Sequence, residues 1–201
     1  MMRSLSAVAA AFMVLVCAVA PAWSAVGDVT WSVDPGHSIA EFSVVHLGVT
    51  HVHGSILITQ ASVVTPAQSL VPTTIDAALD PASIDTRNSD RDSDLRGPQW
   101  LDVTNFKTMT FKSTDITAGP SDTFTANGQL TIHGVTKTAT LAGHVDGTTV
   151  DGRGHHRVSY SASTTIKRQD FGLNWAQQTP GGTFVAGDNV EITISIEAVT
   201  R

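Results

Sequence analysis

The sequence of 201 residues contains one cysteine, Cys17, and it lies inside the first apolar stretch of the chain. A chain that loses this stretch has no cysteine for a disulfide, a nucleophilic thiol or a thiolate metal site. The sequence also lacks a cluster of basic residues, and its formal net charge is −6. An acidic protein of this kind is repelled by nucleic acid and by anionic lipid surfaces, so we expect no nucleic-acid partner.

Long apolar runs are equally scarce, and the one near the N-terminus indicates a secretory signal peptide. Arg3 precedes the apolar run 7–20, and small residues that include Ser24 follow it. A basic start, a short apolar run and small residues at the cleavage point are typical of such a signal. We predict that residues 1–24 are removed by cleavage after Ser24 and that residues 25–201 form a single domain.

Two alternatives for this first segment are weaker. A membrane-spanning helix needs about 20 apolar residues, more than the run 7–20 provides, and no other run approaches that length. Lipidation of Cys17 would favour a small residue before it, whereas Val16 stands there. We therefore expect a periplasmic or secreted protein without stable membrane insertion.

What the rest of the chain does have is alternation of apolar and polar residues, which is typical of β-strands. Near the C-terminus, apolar residues at 190, 192, 194, 196 and 198 alternate with polar ones. Similar alternation occurs in residues 40–46, 75–79, 124–132, 139–145 and 158–166. Turn-forming residues are found at 34–36, 127–128, 146–147, 151–152, 180–182 and 187–188. About eight strands at short spacing predict an antiparallel sandwich or barrel.

One polar segment without alternation, residues 88–102, predicts a short helical insertion in this all-β chain. Asn88 or Ser89 suits the N-cap, and acidic residues follow in the first turn. Gly97 and Pro98 then end the helix. A barrel with one helical insertion is the simplest architecture that contains all these elements.

The histidines raise the alternative of a metal site. His51 and His53 are two residues apart, so a strand would place both on one face, and His46 or the His155–His156 pair could complete the ligand set. Imidazole groups bind zinc or copper. Glycines flank the pair, however, which indicates a turn or bulge, and no carboxylate stands at ligand spacing. We assign no metal.

Motifs of catalysis are missing too. The chain has no glycine-rich phosphate loop, no HExxH and no CxxC. The segment from Gly36 to Ser38 resembles a nucleophile elbow, but Ala40 stands where that motif needs glycine, and a strand follows. The acidic residues 90–94 lack the glycine and glutamate of a calcium loop. Paired carboxylates could still meet in the fold, but no local motif predicts an enzyme.

From about Trp31 to Val199 the sequence resembles the YceI-like family. No single motif is decisive, but their order and spacing together are specific. The segments that carry the resemblance are Trp31–Ser38, Phe42–Gly48, Ser83–Asn88, Arg91–Arg96, Thr110–Ser113, Gly128–Lys137 and Asp170–Leu173. The sequence departs from the family where Asp94 replaces a frequent histidine and where Trp100-Leu101 replaces a Phe-Phe pair.

The resemblance implies an eight-stranded antiparallel lipocalin-like barrel with a helix near one end and an elongated apolar interior. Members of the family are bacterial periplasmic or secreted proteins that hold polyprenyl chains or related lipids. It therefore implies a carrier of a long-chain isoprenoid or other amphipathic lipid, such as a polyprenyl phosphate, a quinone-like lipid or a fatty amide. No other cofactor is implied, and a monomer or homodimer is expected. An envelope-stress or metal-binding module and a lipid-modifying enzyme are the alternatives.

The lining of such a barrel would come from apolar residues of the alternating strands, although the sequence does not say which face points inward. Small residues among the large ones leave space inside, and each buried CH₂ group of a ligand contributes about 0.8 kcal/mol. The arginines Arg87, Arg91 and Arg96 are candidates for a head-group contact, unless they pair with the neighbouring aspartates. The candidate lining residues are Phe42, Val44, His46, Ile75, Leu79, Phe111, Leu130, Ile132, Phe171, Ile192 and Ile194.

Overall fold

The computed structural model describes residues 27–200, and this part of the chain forms one antiparallel sheet of nine strands with a single short α-helix. The segment predicted as a signal peptide, residues 1–24, lies outside the described residues. The elements in chain order are β1 (Val29–Val33), β2 (Ile39–His46), β3 (Thr50–Thr65), β4 (Thr74–Asp85), α1 (Ser89–Arg96), β5 (Met109–Ala118), β6 (Thr123–Ile132), β7 (Val135–Val150), β8 (His156–Lys167) and β9 (Ala186–Thr200).

The sheet closes on itself because β3 pairs with β4 as well as with β1 and β2. The result is an eight-stranded closed antiparallel barrel with one extra strand, which confirms the predicted fold class. The extra strand arises because β1 and β2 share one position between β3 and β9. β2 pairs with residues 50–56 of β3, and β1 pairs with residues 62–65. The two strands are successive halves of one wall segment, separated by the 3-10 turn Pro35–His37.

Closure also decides which face of each strand points inward. In β9, the apolar residues Val190, Ile192, Ile194 and Ile196 all face the barrel interior, and the polar residues between them face outward. A strand places successive side chains on opposite faces, so one inward residue fixes the whole strand. The alternation predicted from the sequence is therefore the inside–outside pattern of the barrel.

Three dipeptides that contain one glycine each, and that predict turns, lie instead within strands. Residues 127–128 belong to β6, 146–147 to β7 and 187–188 to β9. At Gly128 the reason is a close approach: a Cβ there would lie 2.6 Å from Cζ of Phe111 on the neighbouring strand. Gly128 leaves room for the phenyl ring against the wall. Because Phe111 lies on another strand, the residues next to Gly128 in the sequence do not indicate this contact.

The same arrangement of a phenyl ring over a glycine recurs twice. A Cβ on Gly143 would lie 2.2 Å from Cζ of Phe124, and one on Gly54 would lie 2.5 Å from Cζ of Phe42. Both are directly opposite pairs on adjacent strands. Each ring occupies volume next to the backbone that a side chain would otherwise fill.

One end of the barrel is closed by a core cluster that includes Trp31, Phe124 and Tyr160. The indole Nε1 of Trp31 donates to Oγ1 of Thr65 at 3.0 Å. The Tyr160 hydroxyl donates at 3.0 Å to the carbonyl oxygen of Leu70, in the loop between β3 and β4, and burial raises the pKa of Tyr160 above its ordinary value. These paired polar atoms allow large rings to fill this end.

The helix α1 lies at the opposite end and begins as predicted. The side chain of Asn88 accepts a hydrogen bond from the backbone N–H of Arg91 at 3.0 Å, and the helix ends at Arg96. The predicted insertion continues to residue 102 as turns rather than helix. Within residues 27–200, no helix combines the length and apolar character that a bilayer crossing requires.

The ring-over-glycine pairs predict a sharp contrast between two glycines of β7. Gly143→Ala should lower the free energy of unfolding by about 1–3 kcal/mol, because its methyl group overlaps the Phe124 ring. Gly147→Ala is the matched control, since a Cβ there meets nothing within 4 Å, and its effect should stay within about 0.5 kcal/mol. Urea unfolding of both variants measures the difference, and equal effects would contradict the packing.

Candidate functional site: the barrel cavity

The barrel interior contains an apolar cavity of about 390 Å³. This volume lies in the range of small-molecule sites, about 300–1,000 Å³. Small side chains such as Ala77 and Ala162 form part of the wall and leave the space between larger neighbours unfilled. An apolar space of this kind suits an apolar ligand better than it suits water, which needs polar partners.

Most of the residues expected to line a barrel are found on the cavity wall. They come from β2, β4, β5, β6 and β9, so the wall is built from strands all around the barrel. Their role in ligand binding is a separate matter and stays a prediction. The expected residues found on the wall are Phe42, Val44, His46, Ile75, Leu79, Phe111, Leu130, Ile132, Ile192 and Ile194.

Phe171 is the expected lining residue that the structure places elsewhere. It ends the 3-10 helix Arg168–Phe171 and is 2% exposed. It packs in a core cluster with Met109 and Leu173, which line the cavity, but Phe171 itself is not among the wall residues. Alternation could not predict this, because Phe171 does not belong to a strand.

Of the three arginines expected near a head group, only Arg91 lies on the cavity wall. Arg87 is exposed, and its backbone N–H donates to Asp85. Arg96 donates to the backbone carbonyl oxygens of Ala82 and Ile84, at 2.8 and 2.6 Å. This arginine anchors α1 to β4, and we find neither it nor Arg87 on the wall.

The mouth of the cavity lies at the α1 end of the barrel. Asp94 and Leu95 of α1 line it, as do Trp100 and Trp175, and the opposite end is filled by the core cluster around Trp31. The two indole rings are 5.0 Å apart between centroids and are tilted by 36°. Asp94 and Trp100, which depart from the family pattern, therefore border the cavity, where they can influence which ligand enters.

Arg168 is a charged wall residue that no pattern in the sequence predicts. It is 4% exposed, and its guanidinium carbon lies 5.5 Å from the ring centroid of Trp100. Burial lowers its pKa, and the negative charge of Asp188 acts in the opposite direction. No local motif surrounds Arg168. Its neighbours Trp100 and the first residues of β9 come from other parts of the chain and contact it only in the folded protein.

A polar cluster outside the cavity joins three parts of the chain at the far end. The Arg157 guanidinium donates to Asp34 and to Asp151, each at 3.0 Å, and to Glu197. Hydrogen bonding from Arg157 is the main cause that holds the pKa of Asp34 below its usual value. The pKa of Asp151 is also lowered. The largest cause is the hydrogen bond from the backbone N–H of Arg153, followed by the hydrogen bond from the Arg157 side chain.

This cluster also bears on the metal alternative. Within residues 27–200, Asp34, His37 and Glu197 form the one group with three potential ligand atoms close together, and Arg157 already bonds two of them. A cation would have to displace that guanidinium. His51 and His53 lie beside each other on β3, with ring centroids 6.2 Å apart, and belong to no such group in the described chain.

Residues 31–198 match the YceI-like domain family. Among curated relatives, a UPF0312 protein from Azotobacter vinelandii is 30% identical over 165 residues, which cover 82% of this chain and 83% of the relative. A UPF0312 protein from Yersinia pestis is 31% identical over 163 residues, which cover 81% of this chain and 81% of the relative.

Solved structures share the fold at lower identity. BcnA from Burkholderia cenocepacia has a TM-score of 0.70 and 19% identity over 82% of this chain and 98% of that one. A YceI protein from Campylobacter jejuni has a TM-score of 0.63 and 24% identity over 78% and 90%. A polyisoprenoid binding domain from Saccharophagus degradans, described as implicated in plant cell wall breakdown, has a TM-score of 0.59 and 13% identity over 85% and 98%.

The Arg157 cluster predicts how stability responds to acid. Carboxylates whose pKa is lowered by folding stabilise the protein above their unfolded pKa, and this contribution is lost as the pH falls through the folded value. Arg157→Gln should therefore lower Tm by a few degrees near pH 7, and its gap to the unmodified protein should narrow below about pH 4. Thermal unfolding across this range tests the prediction.

Arg153→Gln is the matched control for that experiment. It removes the same charge from the loop just before β8 but retains the backbone N–H that bonds Asp151 at 2.8 Å. It should change Tm little at any pH. A gap that is the same at pH 2 and at pH 7 for Arg157→Gln would show that the guanidinium does not act through these carboxylates.

Proposed function

The chain belongs to the YceI-like family, and from this and its cavity we propose that it binds and carries a long-chain isoprenoid or related amphipathic lipid. Candidate ligands are a polyprenyl phosphate, a quinone-like lipid or a fatty amide. The observation that carries the proposal is the apolar cavity of about 390 Å³ inside a closed barrel. The polyisoprenoid binding domain of Saccharophagus degradans, which shares this fold, supports the same class of ligand.

The energetics of a lipid tail favour this use of the cavity. Burial of one CH₂ group contributes about 0.8 kcal/mol, so about ten groups contribute roughly 8 kcal/mol before the costs of association. Micromolar binding corresponds to about −8.2 kcal/mol, so a longer tail can bind tightly by burial alone. A wall that is almost entirely apolar therefore suffices for affinity, and polar contacts at the mouth decide orientation and selectivity.

The polar groups at the mouth would meet the head of such a lipid. His46 and Arg91 lie on the wall at that end, and Arg91 is the arginine of the predicted trio that can reach a bound molecule. We propose that the protein acts as a carrier and not as an enzyme, in the periplasm or outside the cell, as a monomer or homodimer. The signal peptide predicted over residues 1–24 would direct it there.

Native mass spectrometry of the protein, purified without detergent from its own envelope, is the direct test. We expect one bound species that moves into organic solvent and fragments as an isoprenoid or fatty chain. A ligand-free mass, with no uptake of added polyprenyl phosphate or quinone, would contradict the proposal.

A substitution that fills the cavity provides a second test. Ala162→Phe places a phenyl ring on the wall, and we expect it to weaken binding of a prenyl lipid at least tenfold because it occupies the space of several methylene groups. Ala142→Phe is the control, since Ala142 is exposed on the neighbouring strand β7. Titration of farnesol into both variants measures the effect, with Tm confirming that both are folded. Equal affinities would exclude the cavity as the site.

A further inference from the structure

Arg168 places a buried positive charge on an otherwise apolar wall. Within residues 27–200 the buried charged side chains are Asp92 and Arg168, and Arg168 is the one of the two that lines the cavity. Burial of a charge is costly unless the charge is paired and hydrogen-bonded. The groups around Arg168 therefore show whether its charge is already satisfied within the protein.

Backbone carbonyl oxygens surround part of the guanidinium. Nε donates to Gly187 at 2.9 Å, one Nη donates to Ala186 at 3.2 Å, and the other donates to Leu173. A guanidinium has five N–H donors, so these three bonds leave about two uncommitted. The carbonyls hold the group in place and supply partial charges, but they do not neutralise it.

The negative charge of Asp188 acts on Arg168, but without direct contact. No carboxylate of the described chain forms an ion pair with Arg168. The nearby Asp188 accepts instead from the backbone N–H of Gln169 at 3.1 Å. On another side lies the ring of Trp100, whose face attracts cations but carries no net charge. The positive charge of Arg168 is thus held on the cavity wall without a direct ion-pair partner in the described chain.

Arg91, the other arginine on the wall, differs in this respect. It donates to the Oγ1 and the carbonyl oxygen of Thr86, at 2.8 and 2.9 Å. The same Thr86 hydroxyl donates to the buried carboxylate of Asp92 at 2.5 Å. Asp94 adds a second carboxylate to the same part of the wall. Arg91 is therefore linked through Thr86 to the carboxylate of Asp92, whereas the hydrogen bonds of Arg168 go to backbone carbonyl oxygens alone.

We propose that Arg168, with Trp100 beside it, is the anion subsite of the cavity, and that the preferred ligand is a lipid with an anionic oxygen head group, a phosphate or a carboxylate. This inference rests on the proposed lipid binding and adds the head-group class to it. A planar guanidinium with free N–H groups matches such oxygens, and the low-polarity wall strengthens the pairing. The head group then lies at the mouth and the tail extends toward the closed end.

A matched pair of ligands tests the subsite. Farnesyl phosphate and farnesol share the same tail and differ in the head. Each can be titrated by calorimetry into the protein that comprises residues 25–201. A hydrogen bond to a charged group predicts about 10- to 100-fold tighter binding of the phosphate. Arg168→Gln should remove this preference and leave farnesol binding nearly unchanged. Arg96→Gln is the control, because Arg96 also anchors backbone carbonyls but lies off the cavity.

The outcomes separate the two proposals. Equal affinities for farnesyl phosphate and farnesol would overturn the subsite and leave lipid binding intact, whereas failure of both to bind would overturn both proposals. Loss of the preference in Arg96→Gln as well as in Arg168→Gln would also count against the subsite.

A measurement on the unmodified protein avoids any loss of stability in the Arg168 variants. The Nε–Hε signal of Arg168 in a nitrogen–proton correlation spectrum should shift with farnesyl phosphate and stay in place with farnesol. An unmoved signal at saturating farnesyl phosphate would overturn the subsite. An equal shift with inorganic phosphate at the same concentration would overturn the lipid-linked head group as its ligand.

Discussion

The hydrogen bonds between β3 and β4 close the sheet, and every other property of the site depends on that closure. An open sheet of these strands would have two edges and no defined interior, whereas closure gives each strand an inner and an outer face. The long strand β3 makes closure feasible because it pairs with β4 on one side and with β1 and β2 in succession on the other. The 3-10 turn Pro35–His37 lies between β1 and β2, and both of these strands run antiparallel to β3.

A closed barrel of eight strands encloses a space that its side chains can fill, and this one is filled at one end only. Trp31, Phe124 and Tyr160 pack the far end, where their polar atoms find partners. Elsewhere the wall includes small side chains such as that of Ala77, and the ring of Phe42 packs over Gly54. The space left there costs packing energy in the empty protein. A ligand that binds the folded state alone would recover part of this energy and raise the stability.

The strand pattern could be predicted from the sequence because alternation is a local property. In β9 it separates the inward isoleucines from the outward acidic residues, and closure then decides which set lines the cavity. The capping of α1 by Asn88 is equally local. Gly128 is different: it predicts a turn by its own chemistry, yet it lies inside β6 because Phe111 of another strand packs over it. Phe171, predicted to line the barrel, belongs instead to the 3-10 helix Arg168–Phe171 and is not among the wall residues.

Arg168 is the clearest case of a residue whose environment depends on the whole fold. Its carbonyl partners come from the loop after β8 and from the start of β9, and Trp100 comes from the turns after α1. Because these segments meet only when the barrel is closed, no spacing in the sequence could reveal the site. The same closure makes the two ends of the barrel different: aromatic rings seal one end, and Arg168, which has no direct ion-pair partner in the described chain, lies toward the other. If Arg168 is the anion subsite that we propose, an amphipathic ligand would lie with its tail toward Trp31 and its head toward Arg168.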